Sequence, residues 1–595
     1  MSNRLRGGAF LIQATAPEDV FIPENFSDDT LAVRDLALDF LRTRVDPAAA
    51  DLAEHRDNTT TTRLLDEAGA LGLLGTSIPE QYGGSHQDFV TNMMLFEVFS
   101  AGRSFSLSQG AHTGIGSLPT LYFGTEAQKA HYLPKLVSGE MKAAYCLTEP
   151  DSGSDALAAK SHAALSPDGK NYILNGQKMW ITNGGFADVF TVFAKIDGKA
   201  FTAFIVERAW KGVTVGAEEK KLGIKGSSTC QVFFENVAVP VENVLGEIGK
   251  GHKIAFNILN IGRVKLAAGV VGASKHITGI AAKYANERQQ FGQPIANFGA
   301  IQHKIGEMAT RTYAIESAVY RVSNDIQTWE SAGLAEGKTM NEALLAAAEE
   351  YAIECALLKV AGSECLDFAA DEGLQIYGGM GYSEEAPMAS IYRDARINRI
   401  FEGTNEINRM LAVDMLLKRT LRGDIDLFTH VMALQAELLA PPSFGSSASS
   451  NSDGFDAERQ TVTNLKKLCL ITAGATAQHF TTALETEQEI LMNIADMMTA
   501  AYIAESVLLR TLRRFAEQKA DAATLAIAAD MTRLYVYDAL ERSAGYGKAV
   551  IAAWATGDEK RMLMLALRRF AKQEDINTKT MRRNVAAYYL ANAPK

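Results

Sequence analysis

One short stretch places a carboxylate where it could act as a base. Glu402 stands between an aromatic residue and a glycine in Arg399-Ile400-Phe401-Glu402-Gly403-Thr404-Asn405-Glu406. Desolvation raises the pKa of a carboxylate held on a tight turn beside apolar side chains, and such a group suits proton abstraction from a weak carbon acid. A glutamate before a glycine is also common in ordinary surface turns, so this stretch alone leaves both interpretations open.

Three other stretches offer groups for a flat or anionic ligand. The loop 145–155 is rich in small hydroxyl and glycine residues, whose N–H and O–H groups can donate to an anion. Trp180 precedes a threonine by two residues at a strand edge, which suits a flat ring, although a core tryptophan would look the same. Arg288 ends a helical stretch and could pair with a phosphate, or only with the helix dipole.

A glycine-rich turn lies upstream of Glu402, in Gln375-Ile376-Tyr377-Gly378-Gly379-Met380-Gly381-Tyr382. It lacks the GxGxxG spacing and follows no predicted strand. A Rossmann dinucleotide site is therefore not supported.

The hydrophobic pattern predicts which elements must position these groups. Helical spacing precedes a compact β segment with Asp-Gly hairpin turns, and long helices rich in Ala, Leu and Glu follow it. The predicted organisation is an N-terminal arm (1–30), a helical domain (31–143), a middle β domain (144–250), a helical bundle (251–422), a connector with a mobile Ser/Gly/Pro-rich linker (423–455) and a C-terminal helical domain (456–595).

Composition narrows the class of protein. The chain of 595 residues has a formal net charge of −11 and no long basic block, which argues against a nucleic acid partner. Its five cysteines show no CxxC spacing, so neither a zinc site nor a disulfide framework is expected. No signal-peptide pattern and no apolar run long enough for a membrane span is found, so we expect a cytoplasmic protein.

The C-terminal region carries two basic clusters on amphipathic stretches. They are Arg510, Arg513 and Arg514, and Arg568, Arg569 and Lys572. The favoured interpretation is a bundle with solvated basic faces. The alternative is a surface for a protein partner or for anionic lipid, which would place the protein at the inner face of a membrane.

Taken together and in this order, the four motifs resemble the acyl-CoA dehydrogenase family of flavoproteins over about residues 30–420. The C-terminal extension and the stretch Ile258-Leu259-Asn260-Ile261-Gly262-Arg263 look most like the very-long-chain branch. The resemblance implies a helical domain, a β-barrel-like domain and a four-helix bundle, with FAD extended between the last two. It also implies a homodimer whose extra C-terminal domain covers the face that a second dimer uses in tetrameric relatives.

The resemblance also assigns roles to residues. Those implied to line the flavin are Tyr145, Leu147, Thr148, Ser154, Trp180 and Thr182, with Thr404 and Glu406 near its adenosine diphosphate part. Those implied to reach the FAD of the partner subunit are Arg288, Phe291, Gln375, Gly378 and Gly379. Substrate contacts are implied for Ser154 at the pantetheine arm, for Arg263 at the CoA phosphates, and for Gly262, Phe401 and Gly403 around the acyl group.

The implied reaction is α,β-dehydrogenation of a fatty acyl-CoA. Glu402 would remove the α-proton, and some branches place this base at the position of Gly262, which has no side chain here. The Glu402 N–H and a ribityl hydroxyl would hold the thioester oxygen, the β-hydride would pass to flavin N5, and electron-transferring flavoprotein would be the acceptor. Small residues in 106–116 favour a long acyl chain. An acyl-CoA oxidase and an assembly protein that retains the fold are the alternatives.

Overall fold

The computed structural model describes residues 5–53, 57–439 and 453–594. Nineteen α-helices and ten strands are found in these ranges, in the predicted order of helices, sheet and helices. The seven helices before the sheet are α1 Asp28–Phe40, α2 Ala49–Ala53, α3 Thr59–Ala70, α4 Phe89–Phe99, α5 Arg103–Ala111, α6 Leu118–Phe123 and α7 Glu126–Ser138.

The middle segment forms one curved sheet. Its strands are β1 Ala143–Cys146, β2 His162–Leu165, β3 Asn171–Thr182, β4 Val189–Ile196, β5 Ala200–Glu207, β6 Val213–Glu218, β7 Thr229–Pro240 and β8 Val244–Leu245. The strand order is β6-β7-β3-β2-β4-β5-β8, and β1 pairs with β4 in parallel. Strands β4 and β5 are almost wholly buried, because the sheet is covered on both faces along them.

A helical bundle follows the sheet, after which a short hairpin and further helices continue the chain. The bundle elements are α8 Gly251–Glu287, β9 Gln289–Gln290, β10 Gln293–Pro294, α9 Gly299–Ala335, α10 Met340–Glu350, α11 Ala352–Tyr377, α12 Pro387–Ala395 and α13 Asn405–Leu421. Helix α8 is long and apolar enough to cross a membrane, but 67% of its most apolar window is buried. It is therefore the central helix of this bundle.

The C-terminal helices are α14 Leu427–Leu439, α15 Asp456–Phe480, α16 Gln488–Glu517, α17 Ala522–Trp554, α18 Gly557–Phe570 and α19 Thr578–Ala591. Helix α14 lies inside the predicted connector, which is therefore partly helical. Most of the Ser/Gly/Pro-rich linker lies outside the described residues.

The N-terminal arm is packed into the protein, although its sequence has no helical or strand period. Phe10 is fully buried and its ring lies 4.9 Å from the ring of Tyr502 on α16. Arg510 on the same helix is buried and pairs with Glu24 of the arm and Glu316 of α9, both at 2.8 Å. The expectation of a solvated basic face is therefore wrong for Arg510, because its charge joins three parts of the chain.

Candidate active site

The loop that carries Glu402 has an unusual backbone conformation. Glu402 has φ 57° and Gly403 has φ 82°, so two consecutive residues are left-handed. This conformation costs a glutamate roughly 1–3 kcal/mol, and it persists only where the surroundings impose it. Directly after it, the Thr404 hydroxyl accepts a hydrogen bond from the Ile407 N–H at 3.3 Å and caps α13. The loop is thus fixed at its C-terminal side by a helix start.

Three buried side chains hold the carbonyls of this loop. Arg263 Nε donates to the Glu402 carbonyl at 3.3 Å, and Lys359 Nζ donates to the Gly403 carbonyl at 2.7 Å. Asn408 Nδ2 reaches the carbonyls of Glu402, Gly403 and Thr404 at 3.3, 2.7 and 3.1 Å. These donors impose the left-handed turn from three helices, α8, α11 and α13.

The predicted role of Arg263 at the CoA phosphates disagrees with this position. Its side chain is buried, and besides the Glu402 carbonyl it donates to Asn260 Oδ1 at 2.8 Å. A guanidinium enclosed behind the loop is shielded from a solvated phosphate. Arg263 is therefore a positioning residue, and the family motif did not reveal which way its side chain points.

The Glu402 carboxylate has the properties of a base. Its Oε2 is shielded from solvent and has no hydrogen-bond partner among the described residues. Burial raises the pKa of Glu402 to about 7, while the charges of Arg263 and Lys359 act in the opposite direction. A carboxyl group with this pKa can both accept and release a proton near neutral pH.

Gly262 on α8 faces this carboxylate. A Cβ built at Gly262 would lie 2.7 Å from Glu402 Oε2, closer than real Cβ atoms approach a neighbour. Any side chain here would displace the carboxylate or the loop, so the glycine gives the base its space.

Tyr145 is the residue of the sheet that lies near Glu402. It is buried on β1, and its hydroxyl has no partner within the described part of the chain. Burial and the nearby charge of Glu402 raise the pKa of Tyr145 well above its ordinary value. The Tyr145 hydroxyl of the sheet and Glu402 Oε2 of the bundle, both without hydrogen-bond partners in the described part of the chain, therefore border one site.

The other residues predicted to line a flavin lie on two adjoining segments of the sheet. The Thr148 carbonyl accepts a hydrogen bond from the Met179 N–H at 2.9 Å, and a buried ion pair joins Glu149 to Lys178 at 2.6 Å. These bonds place the loop with Leu147, Thr148 and Ser154 beside the end of β3, which carries Trp180 and Thr182. Trp180 has φ 60° and is 51% exposed at an irregularity between β3 and β7, so its indole is available to a flat ligand.

The residues predicted to reach the FAD of a partner subunit fall at a different place. All of them are exposed, and Phe291 is 92% exposed; they are Arg288, Phe291, Gln375, Gly378 and Gly379. Stacking of Tyr284 on Tyr377, with ring centroids 3.9 Å apart, joins the ends of α8 and α11 that carry them. Since Arg288 follows Gly262 by 26 residues, about 39 Å of helix separates this end from the base. These predicted cofactor residues therefore lie far from Glu402 within one chain.

Thr404 and Glu406 lie at the start of α13 beside the base loop. The Glu406 side chain is exposed. A hydrogen bond from its own backbone N–H, and next one from the Thr404 hydroxyl, lower the pKa of its carboxylate. Phe401 and Gly403 are half-buried on either side of Glu402.

Two functional residues were missed by the sequence reasoning. A polar residue in a helix is usually interpreted as facing solvent. Asn408 lies among other polar residues in the first turns of α13 and gave no signal of its own. Lys359 is a lysine inside the apolar run 355–361 of α11, and that position was a signal of burial.

Comparison with known proteins agrees with this arrangement. Models of the acyl-CoA dehydrogenase N-terminal, middle and C-terminal domains match residues 27–140, 144–237 and 249–417, and a second C-terminal domain model of that family matches 464–569. A probable acyl-CoA dehydrogenase of Bacillus subtilis is 46% identical over 98% of this chain and 97% of its own. The chain belongs to the acyl-CoA dehydrogenase family and is an oxidoreductase of that class.

Two further matches describe the extension and the branch. A crystal structure of an acyl-CoA dehydrogenase complexed with FAD from Bacillus anthracis has a TM-score of 0.95 and 44% identity, and 99% of each chain is covered. The very long-chain specific acyl-CoA dehydrogenase of Bos taurus is 45% identical over 61% of this chain and 54% of its own. The C-terminal helices are thus shared with full-length bacterial relatives, whereas the chain spans about half of the mitochondrial enzyme.

Proposed function

We propose that this protein binds FAD and dehydrogenates fatty acyl-CoA thioesters to trans-2-enoyl-CoA, with Glu402 as the base. The observation that carries the proposal is the position of Glu402 Oε2, which lies opposite Gly262, is shielded from solvent and has no hydrogen-bond partner in the described part of the chain. Bound FAD would supply the hydride acceptor for the β-carbon.

The residues of this chain would bind and orient the reacting groups. Tyr145, Thr148, Trp180 and Thr182 would hold the flavin at the sheet, where orphaned and exposed groups are available to it. Glu402 Oε2 would take the α-proton, and its pKa near 7 supports that role. The Glu402 N–H has no acceptor among the described residues and would donate to the thioester oxygen, where negative charge develops.

A long acyl chain is the proposed substrate of this site. The small-residue stretch 106–116 leaves open space in the protein interior, since Gly114 is buried and a Cβ there would meet no atom within 4 Å. The likeness to a very long-chain specific relative supports the same choice.

The exposed set around Phe291 supports a homodimer in which each chain reaches the cofactor of the other. Electron-transferring flavoprotein as the acceptor, which the resemblance implies, and the cytoplasmic location expected from the sequence complete the proposal.

Anaerobic titration of the purified holoenzyme with acyl-CoAs of increasing chain length tests the proposal. We expect the flavin absorbance to bleach, most completely with long chains. Peroxide formed per turnover in air separates a dehydrogenase from an oxidase. Acyl-CoA binding without bleaching would instead favour the scaffold alternative.

A further inference from the structure

A path of hydrogen bonds leads from the C-terminal helices to the loop that carries Glu402. It begins at Asp496 of α16, inside the segment that the second C-terminal domain model of the family matches. Asp496 Oδ1 accepts a hydrogen bond from Arg409 Nε of α13 at 2.7 Å. Arg409 Nη2 also donates to both carboxylate oxygens of Glu364 of α11, at 2.8 and 3.0 Å. One guanidinium therefore joins α16 to two helices of the bundle.

The path continues through Asn405, the first residue of α13, which is 1% exposed. Its amide Nδ2 donates to Glu364 Oε1 at 3.2 Å and to Ser363 Oγ at 3.0 Å. Its Oδ1 accepts a hydrogen bond from Lys359 Nζ at 2.9 Å, and the same ammonium donates to the Gly403 carbonyl at 2.7 Å. The path thus ends on the residue that follows the proposed base.

Donors and acceptors alternate along the whole path. The Arg409 cation stands between two carboxylates. The Asn405 amide turns its NH2 group to the Glu364 carboxylate and its oxygen to the Lys359 ammonium. A reversed amide would place its oxygen against the carboxylate and its NH2 group against the ammonium, so the charges on both sides fix its orientation. The orientation of Lys359 therefore depends on side chains that reach as far as α16.

We infer that Asp496 is a positioning residue for the base, and that the C-terminal helical domain contributes to catalysis through it. The Asp496 carboxylate holds Arg409 against Glu364. This pair holds the amide that orients Lys359, and Lys359 holds the left-handed turn at Gly403. The inference rests on the proposed function, because it assumes that Glu402 is the base. A small displacement of a reacting group is enough to lower a rate strongly.

A double-mutant cycle on the purified holoenzyme tests the inference. Asp496→Ala should lower the rate of flavin reduction by a saturating long-chain acyl-CoA about tenfold, with full FAD content. Asp496→Asn keeps an acceptor for Arg409 and should recover most of that rate. In a Lys359→Met background, Asp496→Ala should have little further effect, because the path is already cut. Equal fold-losses in both backgrounds, or no loss in either, would overturn the inference.

Asp538 of α17 provides the matched control, because it belongs to an equivalent ion pair of the same domain. It accepts from Arg582 at 2.9 Å, and Arg582 also pairs with Glu307 of α9, just as the partner of Asp496 also pairs with a glutamate of the bundle. The side chains of Asp496 and Asp538 are 22% and 28% exposed. Asp538→Ala should therefore lower the Tm about as much as Asp496→Ala and leave flavin reduction unchanged. Equal losses of rate in the two variants would mean general destabilisation and would overturn the inference.

Hydrogen exchange without substrate separates this inference from the proposed function. Peptides that cover 400–408 should exchange faster in Asp496→Ala than in the wild type, whereas Asp538→Ala should leave them unchanged. Unchanged exchange in Asp496→Ala would overturn the inference, whatever the reaction is. Failure of acyl-CoA to bleach the wild-type flavin would instead contradict the proposed function, and the exchange result would still decide whether α16 holds this loop.

Discussion

The Glu402 carboxylate occupies the space that a side chain at Gly262 would need, because a Cβ on the glycine would lie 2.7 Å from the carboxylate Oε2. The two residues are 140 positions apart in sequence, on α8 and on the loop before α13. Oε2 has no hydrogen-bond partner within residues 5–53, 57–439 and 453–594, and burial of the carboxylate against α8 raises its pKa to about 7.

Gly262→Ala should impair catalysis more than folding. The added methyl group would push the carboxylate away from its position, and a displacement of this size costs about tenfold or more in kcat/KM. Gly269→Ala on the same helix is the matched control, because its Cβ would meet only ordinary contacts at 3.8 and 4.0 Å. Steady-state kinetics with FAD content and Tm measured in parallel would decide, and equal activity of both variants would contradict the role of Gly262.

Lys359→Met should change the pH profile as well as the rate. Lys359 lowers the pKa of Glu402, so its removal should raise that pKa and move the acidic limb of kcat/KM to higher pH. The Gly403 carbonyl also loses its donor, so the loop should loosen and kcat should fall roughly tenfold to a hundredfold. Lys359→Arg should recover part of the shift. A rate loss with an unmoved pH profile would mean that Lys359 acts on folding alone.

Glu402→Gln should stabilise the protein at alkaline pH. The pKa of Glu402 is raised from its unfolded value to about 7, so the folded state holds the proton more tightly. Ionisation of this buried carboxyl group therefore destabilises the folded state. The destabilisation is absent below pH 4.5, grows as the pH rises to 7 and stays constant above that, at about 3 kcal/mol. Thermal unfolding from pH 4 to 9 should show equal Tm values for variant and wild type at pH 4. The Tm of the variant should then exceed that of the wild type by a margin that grows between pH 4.5 and 7 and stays constant above pH 7. Parallel curves would contradict the raised pKa.

Arg510→Met should destabilise the whole chain. It would remove the cation that Glu24 and Glu316 share. Glu24 keeps Arg514 at 3.2 Å and Glu316 keeps Lys275, so neither carboxylate is left uncompensated. Loss of the charged hydrogen bonds of Arg510 should therefore cost about 1.5–3 kcal/mol. Arg561→Met, which breaks an exposed pair with Asp558, should change the free energy of unfolding by less than about 0.5 kcal/mol. Chemical denaturation of both variants measures the difference. Equal, small losses would show that the arm contributes little.

The sequence predicted the order of the layers, because helical period and hairpin turns are local signals. The motif around Glu402 is equally local, and it marked the residue that we propose as the base. It did not predict that the N-terminal arm is buried, since the contact of Phe10 with Tyr502 joins segments about 490 residues apart with no periodic pattern. For a related reason, the sequence placed Arg263 at the CoA phosphates, although its side chain is buried behind the base loop, and did not single out Lys359. A motif gives the place of a charged residue on its helix, whereas its direction depends on which helices pack around it.

We propose that Glu402 removes the α-proton of the substrate. Anaerobic stopped-flow mixing of wild-type and Glu402→Gln holoenzymes with a long-chain acyl-CoA tests it most directly. We predict that the variant binds FAD and substrate but reduces its flavin at least a thousandfold more slowly. Flavin reduction at a rate close to that of the wild type would contradict the assignment.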